Sequence, residues 1–188
     1  MVKALVLILL LLTGCAFAQR GQTRRDPLNE KEVDEMREVR DQPDKRIKLM
    51  VGFLQKRSQM LDDMLKKESA IKPSERGQQT HDLLEDITNL LDEFDDNVEM
   101  FLRETADIRK PLKEALPVEA TLQKQMETLK ASEANKPWFP DYSFQLTDAT
   151  EAVSQTLKST QDAIKDDEDL LKAAKEKQKQ LDKQRDKY

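Results

Sequence analysis

The chain is poor in the residues that build tight turns and reactive centres: its 188 residues include four glycines, one cysteine, one histidine and 5% aromatic side chains. So little glycine and so few aromatics exclude a β-sandwich or a barrel assembled from short strands and tight turns. A lone cysteine excludes an internal disulfide, which needs a second sulfur in bonding geometry. One histidine and one cysteine also leave almost no material for a metal centre or a Cys/His nucleophile pair. Even the hydrophobic share is smaller than it looks. It is 37% of the chain, but residues 1–18 hold 15 of those side chains, and the remainder falls to about 32%, below the usual globular share.

What the N-terminus does contain is a short basic stretch, Met1–Lys3, followed by nine unbroken apolar residues, Ala4–Leu12. Nine residues of helix reach about 14 Å against about 30 Å of bilayer hydrocarbon, so the segment reads as an export signal rather than a permanent span. Two processing sites overlap behind it. Leu12-Thr13-Gly14-Cys15 resembles the bacterial lipobox, which implies cleavage before Cys15 and a lipid on its sulfur. Ala16-Phe17-Ala18 fits the A-x-A rule of ordinary signal peptidase, with cleavage after Ala18 and a soluble chain starting at Gln19. The sequence therefore predicts a signal over 1–18, a flexible basic tether over 19–28 with Arg20, Arg24 and Arg25, and one helical domain over 29–188. In a bacterium this places the protein in the periplasm or on a membrane through its N-terminal lipid; in another source it would be secreted.

Beyond the tether the signals are helical. Asn29 with Glu32 has the spacing of a capping box, and Val33, Met36 and Val39 carry a first stripe to about Asp41. Pro43 suits the opening turn of a second helix, with Ile47, Met50, Leu54, Leu61, Met64 and Leu65 at three- and four-residue steps to about Lys67. Lys72-Pro73-Ser74 and Gly77 break the chain. The longest pattern follows: Leu84, Ile87, Leu91, Phe94, Val98, Phe101, Thr105, Ile108 and Leu112, predicting a helix from Gln78 to Lys110. Pro111 and Pro117 are expected to end or kink it, with a further helix to about Ala131. A last helix is expected from about Asp141 to Asp186 on Leu146, Ala149, Val153, Leu157, Ile164, Leu171 and Leu181, its charged end over 175–188 fraying. The fold class is thus all-α: an elongated antiparallel bundle of four to five helices, coiled-coil-like in its periodicity, preceded by a cleaved export signal.

Charge is distributed in blocks. Asp82–Asp107 holds ten acids against Arg103 alone, whereas Pro43–Glu68 sums to +3 and Lys172–Tyr188 to +4. The second and third helices, opposite in sign, should pack antiparallel. An exported chain of net charge −5 with no basic patch among stacking aromatics is not a nucleic-acid binder. The run Asp92-Glu93-Phe94-Asp95-Asp96 with Glu99 sits inside a helical pattern without a turn glycine, so it reads as a solvated face rather than a calcium loop. His81 lacks a glutamate three residues ahead, which removes a helical di-iron site and leaves it a surface residue of the first turn. No phosphate loop, G-x-S-x-G elbow or H-E-x-x-H occurs, and no set of groups suggests catalysis. The reading is a non-enzyme without metal or cofactor.

One loop stands out: Asn135-Lys136-Pro137-Trp138-Phe139-Pro140-Asp141-Tyr142, with the only tryptophan. Trp138, Phe139 and Tyr142 either plug the end of the bundle or contact a partner, since proline-flanked aromatics bury large area at small entropic cost. The expected function is scaffolding or protein interaction in the bacterial cell envelope, with an envelope protein or a second copy of the chain as partner. The rival is a periplasmic ligand- or client-binding, holdase-like helical protein, which would show a groove between helices. A lipid-surface protein is disfavoured, because the prolines follow no amphipathic repeat spacing.

Overall fold

The computed structural model describes residues 25–66 and 72–185; the expected export signal, Cys15 and most of the expected tether lie outside them. Five α-helices account for most of it: α1 (Glu30–Glu38), α2 (Pro43–Lys66), α3 (Pro73–Arg103), α4 (Arg109–Glu133) and α5 (Ser143–Arg185). A single 3₁₀ turn, Phe139–Asp141, leads into α5, and no strand occurs among the described residues.

The helix ends follow from identifiable chemistry. Asn29 accepts from the backbone N–H of Glu32 at 3.0 Å, while the Glu32 carboxylate accepts from the backbone N–H of Asn29 at 3.1 Å. That reciprocal box satisfies two of the amides a helix start leaves unpaired. α3 begins earlier and stops earlier than the stripe predicts, because the chain turns at Thr105, not at Pro111. Thr105 has φ 57°, its N–H bonds the carbonyl of Leu102, and the N–H of Ala106 bonds that of Phe101. This is a Schellman stop with threonine where glycine is usual. A β-branched residue is strained in that left-handed conformation. Thr105→Gly should therefore stabilise the fold by about 1 kcal/mol in urea titration.

Neither proline breaks a helix. Pro111 lies in the first turn of α4, where the backbone amides have no intrahelical acceptor to lose. Pro117 is carried inside α4, which continues without interruption to Glu133. The expected break near 111–117 is corrected to 104–108.

Helices α2 to α5 form the body. α3 packs against α2 and α5, and α4 against the same two, so α2 lies opposite α5 and α3 opposite α4. Directions follow from side-chain bonds. Arg46 reaches Asn97 and Arg76 reaches the carbonyl of Met64, so α2 and α3 run antiparallel as their charges suggested. Lys113 with Glu168 and Thr160 with Glu119 make α4 and α5 antiparallel too. Lys48 with Glu114 and Ser58 with Gln125 show α2 and α4 running parallel. Because the 104–108 turn crosses the diagonal of the bundle, a purely antiparallel arrangement of neighbours does not result.

The predicted seam is the core. Leu84, Ile87, Leu91, Phe94, Val98 and Phe101 of α3 are buried against Ile47, Met50 and Leu54 of α2, Leu122 and Met126 of α4, and Leu146 and Val153 of α5. In α5 the stripe departs from expectation: Thr156 and Thr160 take the buried positions between Val153 and Ile164, and Leu157 is only half-buried. Past Asp169, the described side chains at 172, 173 and 175–177 are exposed.

Two glycines give a paired test of packing. A Cβ at Gly77 would meet the side chain of Asp141 in the 3₁₀ turn, 2.8 Å from its Cβ, whereas a Cβ at Gly52 would meet nothing within 4 Å. Gly77→Ala should cost about 1–3 kcal/mol by forcing the turn off α3. Gly52→Ala should gain up to about 1 kcal/mol from helix propensity, and thermal melts of the two variants should move in opposite directions.

Candidate functional site

The interior of the bundle is not purely apolar: three glutamates, Glu32, Glu119 and Glu133, are each at most 3% exposed. They differ in what surrounds them, and that difference is the main chemical information in the molecule.

Glu133 ends α4 beneath the Trp138 loop. Its Oε2 accepts from the Tyr142 hydroxyl at 2.6 Å and from the Trp138 indole N–H at 2.9 Å, while its Oε1 pairs with the buried guanidinium of Arg76. Arg76 also donates to the carbonyl of Met64 at 3.2 Å, tying the end of α2 to the start of α3. The Arg76 guanidinium and the Lys136 ammonium each lie 5.6 Å from the Trp138 ring centre, and Phe139 meets Tyr142 edge-on at 5.4 Å. Burial works against the Glu133 charge, but Arg76, Tyr142 and Trp138 prevail and hold its carboxyl below the ordinary value. The same burial, with the carboxylate alongside, pushes the Tyr142 phenol up.

Of the loop residues singled out from the sequence, Tyr142 is therefore buried, and Trp138 and Phe139 are half-buried. The polar groups of Trp138 and Tyr142 converge on one internal acceptor. Among the described residues the exposed aromatic is a different one, Phe144, 69% exposed in the first turn of α5.

Glu32 forms the second cluster. Besides its capping bond it accepts from Lys56 at 2.7 Å and from both terminal nitrogens of Arg57, at 2.8 and 2.7 Å. Arg57, itself buried, also donates to the carbonyl of Pro27 at 2.5 Å. This cluster straps α1 to α2, and Arg25 extends the strap by pairing with Asp82 and Asp86 of α3. The Arg57 guanidinium is the main reason the Glu32 carboxyl falls to about 2.

Glu119 has no such partner. It sits between α4 and α5 at 0% exposure, its Oε1 accepting from Thr160 at 2.9 Å and its Oε2 lacking any hydrogen-bond partner. One turn away along α5, Thr156 donates to Asp95 of α3 at 2.7 Å. Burial, aided by the Asp95 charge, raises the Glu119 carboxyl to about 7, and burial raises Asp95 as well. The acidic run of α3 is thus only partly the solvated face expected of it: Asp92, Asp95, Asp96 and Glu99 border a groove of about 570 Å³ with Thr156 and Ser159, and Asp95 is half-buried there.

Two other surface features bear on ligands. A groove of about 780 Å³ runs under α1, with Leu28, Val33, Met36 and Phe101 among its apolar lining and Arg37, Arg40, Asp41 and Glu104 among its charged residues. The ligand atoms of His81, Asp82 and Glu85 lie within 4.8 Å of one another, with Asp82 already held by Gln78 and Arg25. Among the described residues no helix is long and apolar enough to cross a membrane. No family model, curated protein or solved structure matches this chain.

The buried charges escaped the sequence reading although a signal existed for them. Leu112, Ala115, Glu119, Leu122, Met126, Leu129 and Glu133 alternate steps of three and four, so both glutamates occupy core positions of α4. Arg57 holds the matching place between Leu54 and Leu61 in α2.

Proposed function

We propose that this protein is an exported, non-enzymatic helical protein of the bacterial cell envelope, an elongated bundle that follows a cleaved signal. In this reading a lipid on Cys15 holds it at a membrane, and the bundle acts as a scaffold or interaction module. The observation that carries the interaction reading is α5. At 43 residues it is about 65 Å long, well beyond the 24 to 31 residues of α2, α3 and α4. It offers exposed Lys172, Lys175 and Lys177 beyond the ion pairs to α4 among the described residues, Arg109 with Asp167 and Lys113 with Glu168. Cross-linked capture from envelope extract should recover a specific partner with the natively processed chain and lose it when the chain is cut after Asp169. Equal capture by both chains would count against this use of α5.

The groove under α1 favours a second reading, that of a ligand or client binder. It is an open groove lined half by apolar and half by charged side chains, and its volume is enough to seat a small molecule or a client segment. Native mass spectrometry of the purified chain separates the two, since a co-purifying small molecule without a protein partner supports the binder.

A further inference from the structure

We infer that Glu119 is a pH sensor built into the α4–α5 interface, which holds the two helices together while its carboxyl is protonated and loosens them when it ionises. The geometry is that of a charge with nowhere to go. Glu119 is fully buried at the middle of α4, one oxygen has a hydroxyl donor and the other has none. An ionised carboxylate there costs far more than the neutral acid, because only ion pairing or several donors offset the loss of water.

The neighbours confirm the sign. From α5 the facing polar groups are the uncharged hydroxyls of Thr160 and, one turn away, Thr156. From α3 the charge acting on Glu119 is that of Asp95, which repels. From α2, which also packs on α4, no charged group of the described residues acts on it. Asp95 is itself half-buried, held by Thr156 and Ser159, with Asp92 and Asp96 adding like charge. The two carboxyls therefore resist ionisation together. The contrast with Glu32 and Glu133 is direct, since each of those carries a buried arginine.

The direction of the effect follows from the raised carboxyl. In the unfolded chain Glu119 ionises near 4.5 and in the bundle near 7, so the folded state holds the proton longer. Stability from this group is complete below about 4.5 and declines as pH rises through that window. It then levels off above about 7. The ratio of folded to unfolded chain should fall roughly thirtyfold between pH 5.5 and pH 8.5 from this residue alone.

Urea titration and amide hydrogen exchange of the full mature chain at both pH values test this. The wild type should lose stability at pH 8.5, with amides around Glu119 and Thr160 exchanging faster than base catalysis alone explains. Glu119→Gln keeps shape and hydrogen bonding without a charge. It should be more stable than wild type at pH 8.5 and lack this part of the pH slope. Glu119→Met serves if the glutamine variant folds poorly, and it should flatten the slope in the same way. A pH dependence identical in wild type and both variants would overturn the proposal, as would enhanced exchange confined to helices other than α4 and α5.

Discussion

Arg76→Met should lower the free energy of unfolding by about 3–5 kcal/mol, because it leaves the Glu133 carboxylate buried without its cation. Glu133 would keep the Trp138 and Tyr142 donors, so the chain should fold, but the loop and the start of α3 would lose their shared anchor. Adding Glu133→Gln should recover part of the loss, since the neutral amide removes the stranded charge while its oxygen still accepts from Trp138 and Tyr142. Trp138→Ala should also cost on the order of 3 kcal/mol, from lost ring burial and the lost indole bond. Far-UV circular dichroism in urea reads all of these. If Trp138→Ala instead leaves the midpoint unchanged and abolishes partner capture, the loop is a docking anchor and not a closure of the bundle.

The strap should be nearly as sensitive. Arg57→Met should cost about 3–5 kcal/mol by stranding Glu32, which then retains Lys56 and its own capping amide. The effect has a pH signature. In the folded chain Glu32 lies near 2 against about 4.5 unfolded, so its contribution is full above 4.5 and disappears as pH falls toward 2. The wild type should therefore lose on the order of 3 kcal/mol across that window from this carboxyl, and Arg57→Met should lose much less. Denaturation midpoints at pH 5 and pH 2.5 measure the difference. Together with Glu119, which acts in the opposite direction near neutrality, this confines greatest stability to mildly acidic conditions.

How much of this was legible in the residues depends on the element. The capping box at Asn29, the start of α2 at Pro43 and the α3 seam were readable, because each rests on local spacing that tertiary packing did not override. The end of α3 was not. Thr105 looks like a weak stripe position, and only its left-handed backbone, held by the Schellman bonds, makes it a stop. Proline misled in the complementary way: Pro111 falls in a first turn, where its missing N–H has no intrahelical role.

The site was harder to read than the fold for a physical reason. A glutamate in a helical stripe is either solvated or buried, and only its partners on other helices decide which. Arg76 stands 57 residues before Glu133, and Thr160 stands 41 after Glu119. The diagonal turn at 104–108 that brings α5 beside both α3 and α4 decides those meetings. The aromatic loop stands out in the sequence by its composition, but which of its rings face inward depends on Glu133, a residue the apolar pattern passes over.

The proposal that most needs a direct test is export with attachment through Cys15. Intact mass spectrometry of the chain recovered from the membrane fraction of a bacterial host decides it. The account predicts a mature protein beginning at a lipidated Cys15. An unmodified start at Gln19 would keep export and remove the anchor, and a full-length chain retaining Met1 in the cytoplasm would contradict the account.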